Sequence, residues 1–182
     1  MRCAWAEQSD AERVYHDTEW GVPVYDDRLL FEALALRGVQ AGLAWRIVLS
    51  KREAFRRAFH DFDIAAVAAM SDAAIAAVLS DRAVIRNRLK IEAIRSNARL
   101  VLRIGEEEGS FAAFLWSFVG GVPKVNTRGN GDPMPVLDEA SDRMSAVLRK
   151  RGFRFAGTAI CYAMMQSAGL VDDHACECFR RR

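Results

Sequence analysis

Apolar residues recur at helical spacing along most of the chain, and this periodicity constrains the fold more than any other feature. In the stretch SFAAFLWSFVGG, Phe111, Phe114, Leu115 and Phe118 fall at positions i, i+3, i+4 and i+7, which is one face of an amphipathic helix. Very little of the chain alternates apolar and polar residues as a half-buried strand does. The sequence therefore predicts an all-α fold.

Glycines and prolines indicate where these helices end. The pattern predicts one helix that ends at Gly38, one continuous helix over 43–60, and a long helix that ends at Gly105. Prolines and glycines then interrupt the pattern over 122–140, which predicts an extended loop. We expect two helical lobes joined across that loop.

Composition limits the class of protein. With 182 residues and 51% hydrophobic residues, the chain can form a single domain over 1–182 without disulfides. Four cysteines, no apolar signal region and no run of about 20 apolar residues predict reduced thiols, no membrane partner and a cytoplasmic protein. The net charge of +2 neither requires nor excludes nucleic acid as a partner.

A helical hairpin is predicted over about 141–168. One amphipathic helix ends at Gly152, the segment FRFAG follows, and a second helix begins near Thr158. Gly152 can adopt a left-handed C-cap, and Gly157 allows close approach to the first amide groups of the second helix. Free amide groups and the positive end of a helix dipole are suited to a phosphate oxygen.

Basic residues surround this hairpin, including Lys150 and Arg154. A second set lies along 82–95, so that the two clusters together contain Arg149, Lys150, Arg151, Arg154, Arg82, Arg86, Arg88, Lys90 and Arg95. Such clusters are what sequence-independent binding to a phosphate backbone requires. An ordinary helical hairpin with Phe153 and Phe155 in the core is the alternative.

Residues of the type that bind metals lie at both ends of the chain. His174 and Cys178 are four residues apart, so on a helix they would share a face. Cys3 and His16 could complete a tetrahedral Cys2His2 zinc site that joins the termini. With no open coordination position such an ion would be structural, and Cys176 is an alternative ligand.

The motifs RCAW, YHDTEWGVPVYDD, QAGLAW, FVGGVP, KRGFRFAGTAICY and GLVDDH occur in this order along nearly the whole chain. In these motifs the chain resembles the 3-methyladenine DNA glycosylase I family of the helix-hairpin-helix glycosylase superfamily. The resemblance implies a bacterial base-excision repair enzyme that flips an alkylated adenine out of DNA and hydrolyses its N-glycosidic bond. It also implies a helix-hairpin-helix glycosylase fold and a zinc ion held by Cys3, His16, His174 and Cys178.

The resemblance further implies which residues contact the base and the DNA. Trp45 matches the stacking tryptophan of the family, and Tyr15 and Trp5 match other aromatic pocket positions. The hairpin would bind the DNA backbone through Gly152, Lys150, Arg154, Gly157 and Thr158. The expected partner is double-stranded DNA with alkylated bases, bound at the nucleoid by a monomer.

The chain departs from the family at three polar pocket positions. Arg37 stands where the family has a base-reading glutamate, Glu12 replaces a tyrosine, and Ala163 replaces a serine. An arginine carries donors only, so it cannot accept from the adenine amino group as a carboxylate does. Glu12 and Arg37 could form a buried pair, or Glu12 could replace the missing carboxylate; alternatively, Glu12 is exposed and Arg37 extends out of the site.

Two aspartates near the C-terminus are candidates for catalysis. Asp173, and less favourably Asp172, lie where other members of the superfamily keep a carboxylate that stabilises the transition state. An aspartate beside a metal-binding histidine could equally orient that histidine. Three functions follow: a 3-methyladenine glycosylase, a glycosylase for a different damaged base, or a zinc-stabilised DNA-binding protein without catalysis.

Overall fold

The computed structural model describes residues 1–182, and ten α-helices make up most of it. They are α1 (Asp10–Thr18), α2 (Asp27–Gln40), α3 (Trp45–Ser50), α4 (Arg52–Ala58), α5 (Ile64–Ala69), α6 (Asp72–Ser80), α7 (Arg88–Glu108), α8 (Phe111–Ser117), α9 (Glu139–Lys150) and α10 (Thr158–Ser167). Short 3-10 helices cover Ala4–Gln8 and His60–Phe62. The predicted helical class is confirmed.

The longest helix, α7, shows how the sequence pattern produces the fold. Asn87 caps its first turn by accepting a hydrogen bond from the backbone N–H of Lys90, and its C-cap is Gly109 with φ of +87°. Its apolar face is buried in a core of 39 residues that draws on α2 to α10. None of the helices combines the length and the apolar character needed to cross a bilayer.

Two predicted helix ends were wrong, because glycine was taken as a terminator. α2 continues through Gly38 to Gln40, and α7 continues through Gly105. A Cβ atom on Gly38 would lie 3.2 Å from the Cβ atom of Phe155, so the glycine allows the hairpin to approach α2 closely. A glycine costs a helix only about 1 kcal/mol, which tertiary packing readily offsets.

The predicted continuous helix over 43–60 is divided into α3 and α4 at Lys51. Within α3, Val48 is fully buried, whereas Ile47, which we predicted on the apolar face, is 40% exposed. The ammonium group of Lys51 donates to the carbonyl oxygens of Arg82 and Ala83, which fixes the chain at the break.

The loop over 122–140 contains one feature that periodicity does not predict. Its segment β1 (Lys124–Val125) pairs in parallel with β2 (Val171–Asp172), and Lys124 lies opposite Val171. This short ladder holds the loop against the chain just before Asp173 and His174. It thereby brings 134–136 beside α10, where they form part of a cleft.

Candidate functional site

Cys3, His16, His174 and Cys178 come together in a buried group that we call the terminal cluster. One ligand atom from each residue lies within 4.8 Å of all the others. The Cys178 Sγ atom is 3.4 Å from His16 Nε2 and 3.5 Å from His174 Nδ1, and the Cys3 Sγ atom is 3.7 Å from His174 Nδ1. Zinc bonds of the usual lengths in a tetrahedral site separate sulfur and nitrogen by about 3.5 Å. The geometry therefore fits a tetrahedral metal ion.

The second nitrogen of each histidine ring also has a partner. His16 Nδ1 lies 2.8 Å from a carboxylate oxygen of Asp17, and His174 Nε2 lies 3.1 Å from the carbonyl oxygen of Trp20. Such partners fix the tautomer and the ring orientation of metal-binding histidines. Both remaining nitrogens, His16 Nε2 and His174 Nδ1, consequently present their lone pairs to the cluster.

Burial sets the electrostatics of the terminal cluster. It raises the pKa of the Cys3 thiol to about 11 and lowers the pKa of His174 to about 4. Burial disfavours the charged form of either group, so it keeps the thiol and the imidazole neutral. A divalent cation placed among them would stabilise the thiolate, since a coordinating thiol is deprotonated.

Beside the terminal cluster lies a cleft of about 410 Å³, which is within the usual range for ligand pockets. Its walls come from the end of α2, the start of α3, the loop over 134–136 and one face of α10. The residues that line it are Trp5, Trp20, Arg37, Gln40, Ala41, Gly42, Leu43, Trp45, Met134, Pro135, Val136, Ala159, Ile160, Tyr162, Ala163 and Gln166. None of these is an aspartate or a glutamate.

Arg37 occupies the wall of the cleft, where its guanidinium group is held by neutral acceptors. Its Nε donates to Ser167 Oγ at 2.7 Å, Nη1 to Gln40 Oε1 at 2.8 Å and Nη2 to the Tyr15 hydroxyl at 3.1 Å. The carbon at the centre of the guanidinium lies 3.6 Å from the ring centroid of Trp45, a cation–π contact. Four separate elements therefore fix this side chain.

No carboxylate forms an ion pair with Arg37, although the residue is only 6% exposed. Burial lowers the pKa of Arg37, and the neighbouring hydroxyl of Tyr15 opposes that shift. An arginine side chain still remains protonated in a protein. The cleft therefore has a positive charge in its wall.

None of the three positions predicted for Glu12 is the one observed. The side chain is 5% exposed, so it is not in solvent, and the guanidinium of Arg37 binds other residues instead of Glu12. Its carboxylate accepts a hydrogen bond from the Ser9 hydroxyl at 2.8 Å, while Ser9 Oγ accepts from the Glu12 backbone N–H at 3.2 Å. This reciprocal arrangement caps α1, and it holds Glu12 outside the cleft.

Asp173 is fully buried behind the cleft rather than in its wall. Its Oδ1 accepts from the amide of Asn126 at 2.7 Å, and its Oδ2 accepts from the Tyr162 hydroxyl at 2.8 Å and the Gln166 amide at 2.7 Å. Tyr162 and Gln166 line the cleft, so Asp173 orients two side chains of the wall that α10 forms. The neighbouring Asp172 accepts instead from the backbone N–H groups of His174 and Arg182.

The aromatic residues predicted to contact the base divide into two groups. Trp5 and Trp45 line the cleft, and their indole N–H groups are buried without a hydrogen-bond partner. Tyr15 lies behind Arg37, where its hydroxyl donates to Ser167 Oγ at 2.9 Å. Tyr15 therefore contacts the cleft through Arg37.

The hairpin between α9 and α10 begins with a left-handed Gly152, whose φ is +95°. Asn97 of α7 fixes its tip, since the Asn97 amide donates to the Arg154 carbonyl at 2.9 Å and accepts from the Arg154 N–H at 3.0 Å. Gly157 is the N-cap of α10, and no side chain caps that helix. Amide groups of the first turn of α10, which begins at Thr158, are therefore open to a ligand.

Several of the basic residues that we predicted around DNA are occupied inside the protein. Arg151 pairs with Glu107 and Glu108, Lys90 is buried against the carbonyl oxygens of Val39 and Ala41, and Arg95 pairs with Asp72. The exposed cations near the hairpin and along the second set are Arg149, Lys150, Arg82, Arg86 and Arg88. The basic surface is accordingly smaller than the sequence suggests.

Sequence reasoning missed several residues of the cleft. Gln40 and Leu43 belong to the QAGLAW motif, and Gln166 lies one turn after Tyr162, so helical spacing could have indicated them. Met134 and Val136 come from the proline-rich loop, whose position depends on the short ladder with β2. No local sequence signal places that loop.

Comparisons with known proteins agree with this architecture. The model of the methyladenine glycosylase family matches residues 5–181. DNA-3-methyladenine glycosylase 1 of Escherichia coli (strain K12) is 46% identical over 177 residues, which cover 97% of this chain and 95% of the relative. DNA-3-methyladenine glycosylase of Haemophilus influenzae is 45% identical, with 97% and 96% covered.

Solved structures show the same similarity. A crystal structure of 3-methyladenine DNA glycosylase I superposes with a TM-score of 0.96 at 47% identity and covers 100% of both chains. A structure of the Staphylococcus aureus glycosylase I, described in terms of 3-methyladenine recognition, gives a TM-score of 0.94 at 35% identity and covers 100% of this chain and 96% of that one.

Fold and site together define a helical protein with an aromatic cleft and a buried group of four metal-type ligands that joins its termini. Since the family model covers nearly the whole sequence, the chain belongs to the methyladenine glycosylase family.

Proposed function

We propose that this protein is a DNA glycosylase that removes alkylated purine bases by hydrolysing the N-glycosidic bond. The observation that carries the proposal is the position of the aromatic cleft along α10. The N-terminus of this helix forms the end of the hairpin, and its residues Ala159, Ala163 and Gln166 line the cleft. A nucleotide whose phosphate is bound at the hairpin would therefore lie close to the cleft.

The hairpin has the features of a phosphate site in the helix-hairpin-helix glycosylase superfamily. Gly152 makes the turn, Gly157 and Thr158 open α10 with uncapped amide groups, and Lys150 and Arg154 add positive charge. We assign DNA backbone contacts to these five residues. The substrate is duplex DNA, which a monomer binds at the nucleoid in the cytoplasm.

The cleft then receives the flipped base. Trp5 and Trp45 supply aromatic surface, and an alkylated purine is already a good leaving group because alkylation weakens its bond to the sugar. Much of the catalytic effect can thus come from extruding and holding the base. We assign Trp5, Trp45 and Arg37 to contact with the base, and Tyr15 to positioning Arg37.

Asp173 is the candidate for the carboxylate that supports bond cleavage. Its three donors keep it fixed behind Tyr162 and Gln166, and its negative charge would favour positive charge that develops at the sugar. Glu12 has no comparable position, since its carboxylate accepts from the hydroxyl of the N-cap residue Ser9 outside the cleft. We therefore assign the electrostatic role to Asp173 alone.

A structural zinc ion in the terminal cluster would stabilise this scaffold. The sulfur–nitrogen separations, the partnered second nitrogens and the two buried thiols all support a closed Cys2His2 site. When bound, the ion ties the two ends of one domain over 1–182 and takes no part in the reaction.

Two observations favour a second candidate function. No carboxylate lines the cleft, and one face of Trp45 is covered by the guanidinium of Arg37. A family member whose cleft lacks a carboxylate and has Trp45 covered in this way could bind DNA without releasing a base. Such a protein would still show a steep dependence of DNA affinity on salt concentration.

Methylated duplex DNA separates the two candidates. The natural protein, Arg37→Glu and the surface control Arg57→Glu are incubated with it, and released bases are measured by chromatography. Release of a methylated purine by the natural protein supports the glycosylase. Salt-dependent DNA binding without release, from the natural protein and from Arg37→Glu alike, would instead establish the non-catalytic function.

A further inference from the structure

The cleft has the guanidinium donors of Arg37 in its wall and no carboxylate acceptor. The indole N–H groups of Trp5 and Trp45 have no partner, but they have almost no accessible surface either, so the donors that a ligand can reach come from Arg37. The Tyr162 hydroxyl and the amide nitrogen of Gln166 both donate to Asp173, so neither of these donors is free for a ligand. A ligand with two or more acceptor atoms on one edge would satisfy the guanidinium donors, whereas a ligand with an amino group on that edge would leave donors facing donors.

The guanidinium of Arg37 presents its donors in fixed directions. A guanidinium carries five N–H groups, and three of them bind Ser167, Gln40 and Tyr15. The hydroxyls of Ser167 and Tyr15 are only 2.9 Å apart, so they take neighbouring N–H groups on one edge of the guanidinium. Two N–H groups remain, one on each terminal nitrogen, and Arg37 lines the cleft.

Two such N–H groups match a purine with a 6-oxo group. Arginine bonds bidentately to the O6 and N7 atoms of guanine, which lie side by side, whereas adenine presents its N6 amino donor in place of O6. We infer that the cleft of this protein selects N3-alkylated guanine over N3-alkylated adenine. This inference rests on the proposed glycosylase function and names the substrate class of the same cleft.

Charge does not decide between these two bases. Alkylation at N3 places positive charge on either purine in DNA, so the guanidinium of Arg37 repels both to a similar extent. The difference between them lies in the O6 or N6 group at the edge that meets Arg37. The ratio of the two release rates therefore isolates hydrogen bonding from charge.

The ratio is measured on duplex DNA treated with a methylating agent. Released 3-methylguanine and 3-methyladenine are quantified over time and normalised to the content of each base in the DNA. The variants are Arg37→Met, which removes the donors, Arg37→Glu, which accepts from an amino group, and Arg57→Glu, which makes the same charge change on the exposed surface of α4.

The natural protein should release 3-methylguanine faster than 3-methyladenine. Its ratio should exceed that of Arg37→Met by about 5- to 150-fold, the discrimination expected from one bidentate arginine contact. Arg37→Glu should reverse the preference, and Arg57→Glu should leave it unchanged. Equal release, or faster release of 3-methyladenine by the natural protein, would overturn the inference and leave the glycosylase function intact.

A binding measurement decides the inference even without base release. The free bases 3-methylguanine and 3-methyladenine are titrated into the natural protein, and the tryptophan fluorescence is followed because Trp5, Trp20 and Trp45 line the cleft. Tighter binding of 3-methylguanine supports the selection that we infer. Tighter binding of 3-methyladenine refutes it, whereas absence of release from any variant refutes only the proposed reaction.

Discussion

The terminal cluster and the cleft lie side by side, but they relate differently to the sequence. All four ligands of the cluster are of the types that zinc requires, and their second-nitrogen partners are also present. The cleft keeps its aromatic walls, while Arg37 has the opposite charge to the glutamate that the resemblance led us to expect at this position. Hence a metal-type site depends on all its ligands together, whereas a binding cleft can change its chemistry one side chain at a time.

The reason for this difference is how each region satisfies its polar groups. A ligand lost from the terminal cluster would leave buried polar atoms and an incomplete coordination sphere. Arg37 instead finds neutral acceptors on α1, α2 and α10, and the ring of Trp45 on α3. The fold therefore accommodates an arginine in the cleft without needing a carboxylate beside it.

Removal of one ligand should give the largest effect. We expect Cys178→Ala to lose zinc and to lower the free energy of unfolding by about 5 kcal/mol or more, because binding of a structural metal contributes directly to folding. Zinc content and thermal unfolding measure this. The control Cys176→Ala, at an exposed neighbouring cysteine, should change stability by less than about 0.5 kcal/mol. Equal effects of the two variants would contradict a metal site at Cys178.

Alanine substitution at two glycines of nearly equal positive φ tests how the terminal cluster and the cleft respond to the same backbone change. Gly21 has φ of +77° and a Cβ there would lie 2.8 Å from His174 Nε2, whereas Gly42 in the cleft has φ of +76° and open space around it. We expect Gly21→Ala to cost about 3 kcal/mol and weaken zinc binding, and Gly42→Ala to cost about 1 kcal/mol with zinc unchanged. Zinc titration and urea unfolding test both, and weaker zinc binding in Gly42→Ala would show that the two regions are coupled.

Asp173→Asn tests whether the polar layer behind the cleft is independent of the terminal cluster. The asparagine amide would face donors from Asn126, Tyr162 or Gln166, so we expect a loss of about 2 kcal/mol in stability. Base release should fall as well, while zinc content stays unchanged. Full base release by a folded variant would exclude the electrostatic role that we propose for Asp173.

Asp138→Ala measures how much stability is lost when a helix cap outside the terminal cluster and the cleft is removed. Asp138 caps α9 in a capping box with Ser141 and pairs with Lys124 at 2.8 Å. Its removal should cost about 1 kcal/mol at neutral pH, measured by urea unfolding. Zinc content and the ratio of released bases should not change.

The stability that Asp138 contributes should decrease as the pH falls. Burial alone would raise the pKa of Asp138, but the hydrogen bonds from Lys124 and Ser141 outweigh burial and hold it below the ordinary value. The stabilisation is therefore complete above about pH 4 and is lost as the pH falls through the lowered pKa of the folded protein. The natural protein and the variant should thus converge in stability at acidic pH, and a constant difference across this range would contradict the assignment.

Helix positions followed from the sequence because the contacts that define them are local. The periodic burial of α7 and the left-handed turn at Gly152 were both predicted from spacing and residue type. The errors at Gly38 and Gly105 arose where packing against another element outweighed local propensity. Local rules fail at positions where the partner comes from elsewhere in the chain.

The positions of the polar side chains in the site depended on such distant partners. Nothing near Arg37 in the sequence indicates Ser167 as its hydrogen-bond acceptor, and nothing near Val136 indicates that the loop completes the cleft. Glu12 was expected either in the pocket or exposed to solvent, yet its carboxylate is buried and accepts a hydrogen bond from Ser9, three residues earlier in the chain. Glu12 therefore binds a neighbour in the sequence, Ser9, and not the distant Arg37 that we had considered as its partner.

The sequence by itself determined the helical class, the identity of the four metal-type ligands, the hairpin glycines and the presence of an arginine at position 37. Each of these depends on residue type or on spacing within a few turns of helix. Only the tertiary structure decided that the four ligand atoms lie within 4.8 Å of one another and that Arg37 lies on Trp45 without a carboxylate. The physical reason is that burial and hydrogen bonding are decided between segments that are distant in the chain and meet only when it folds.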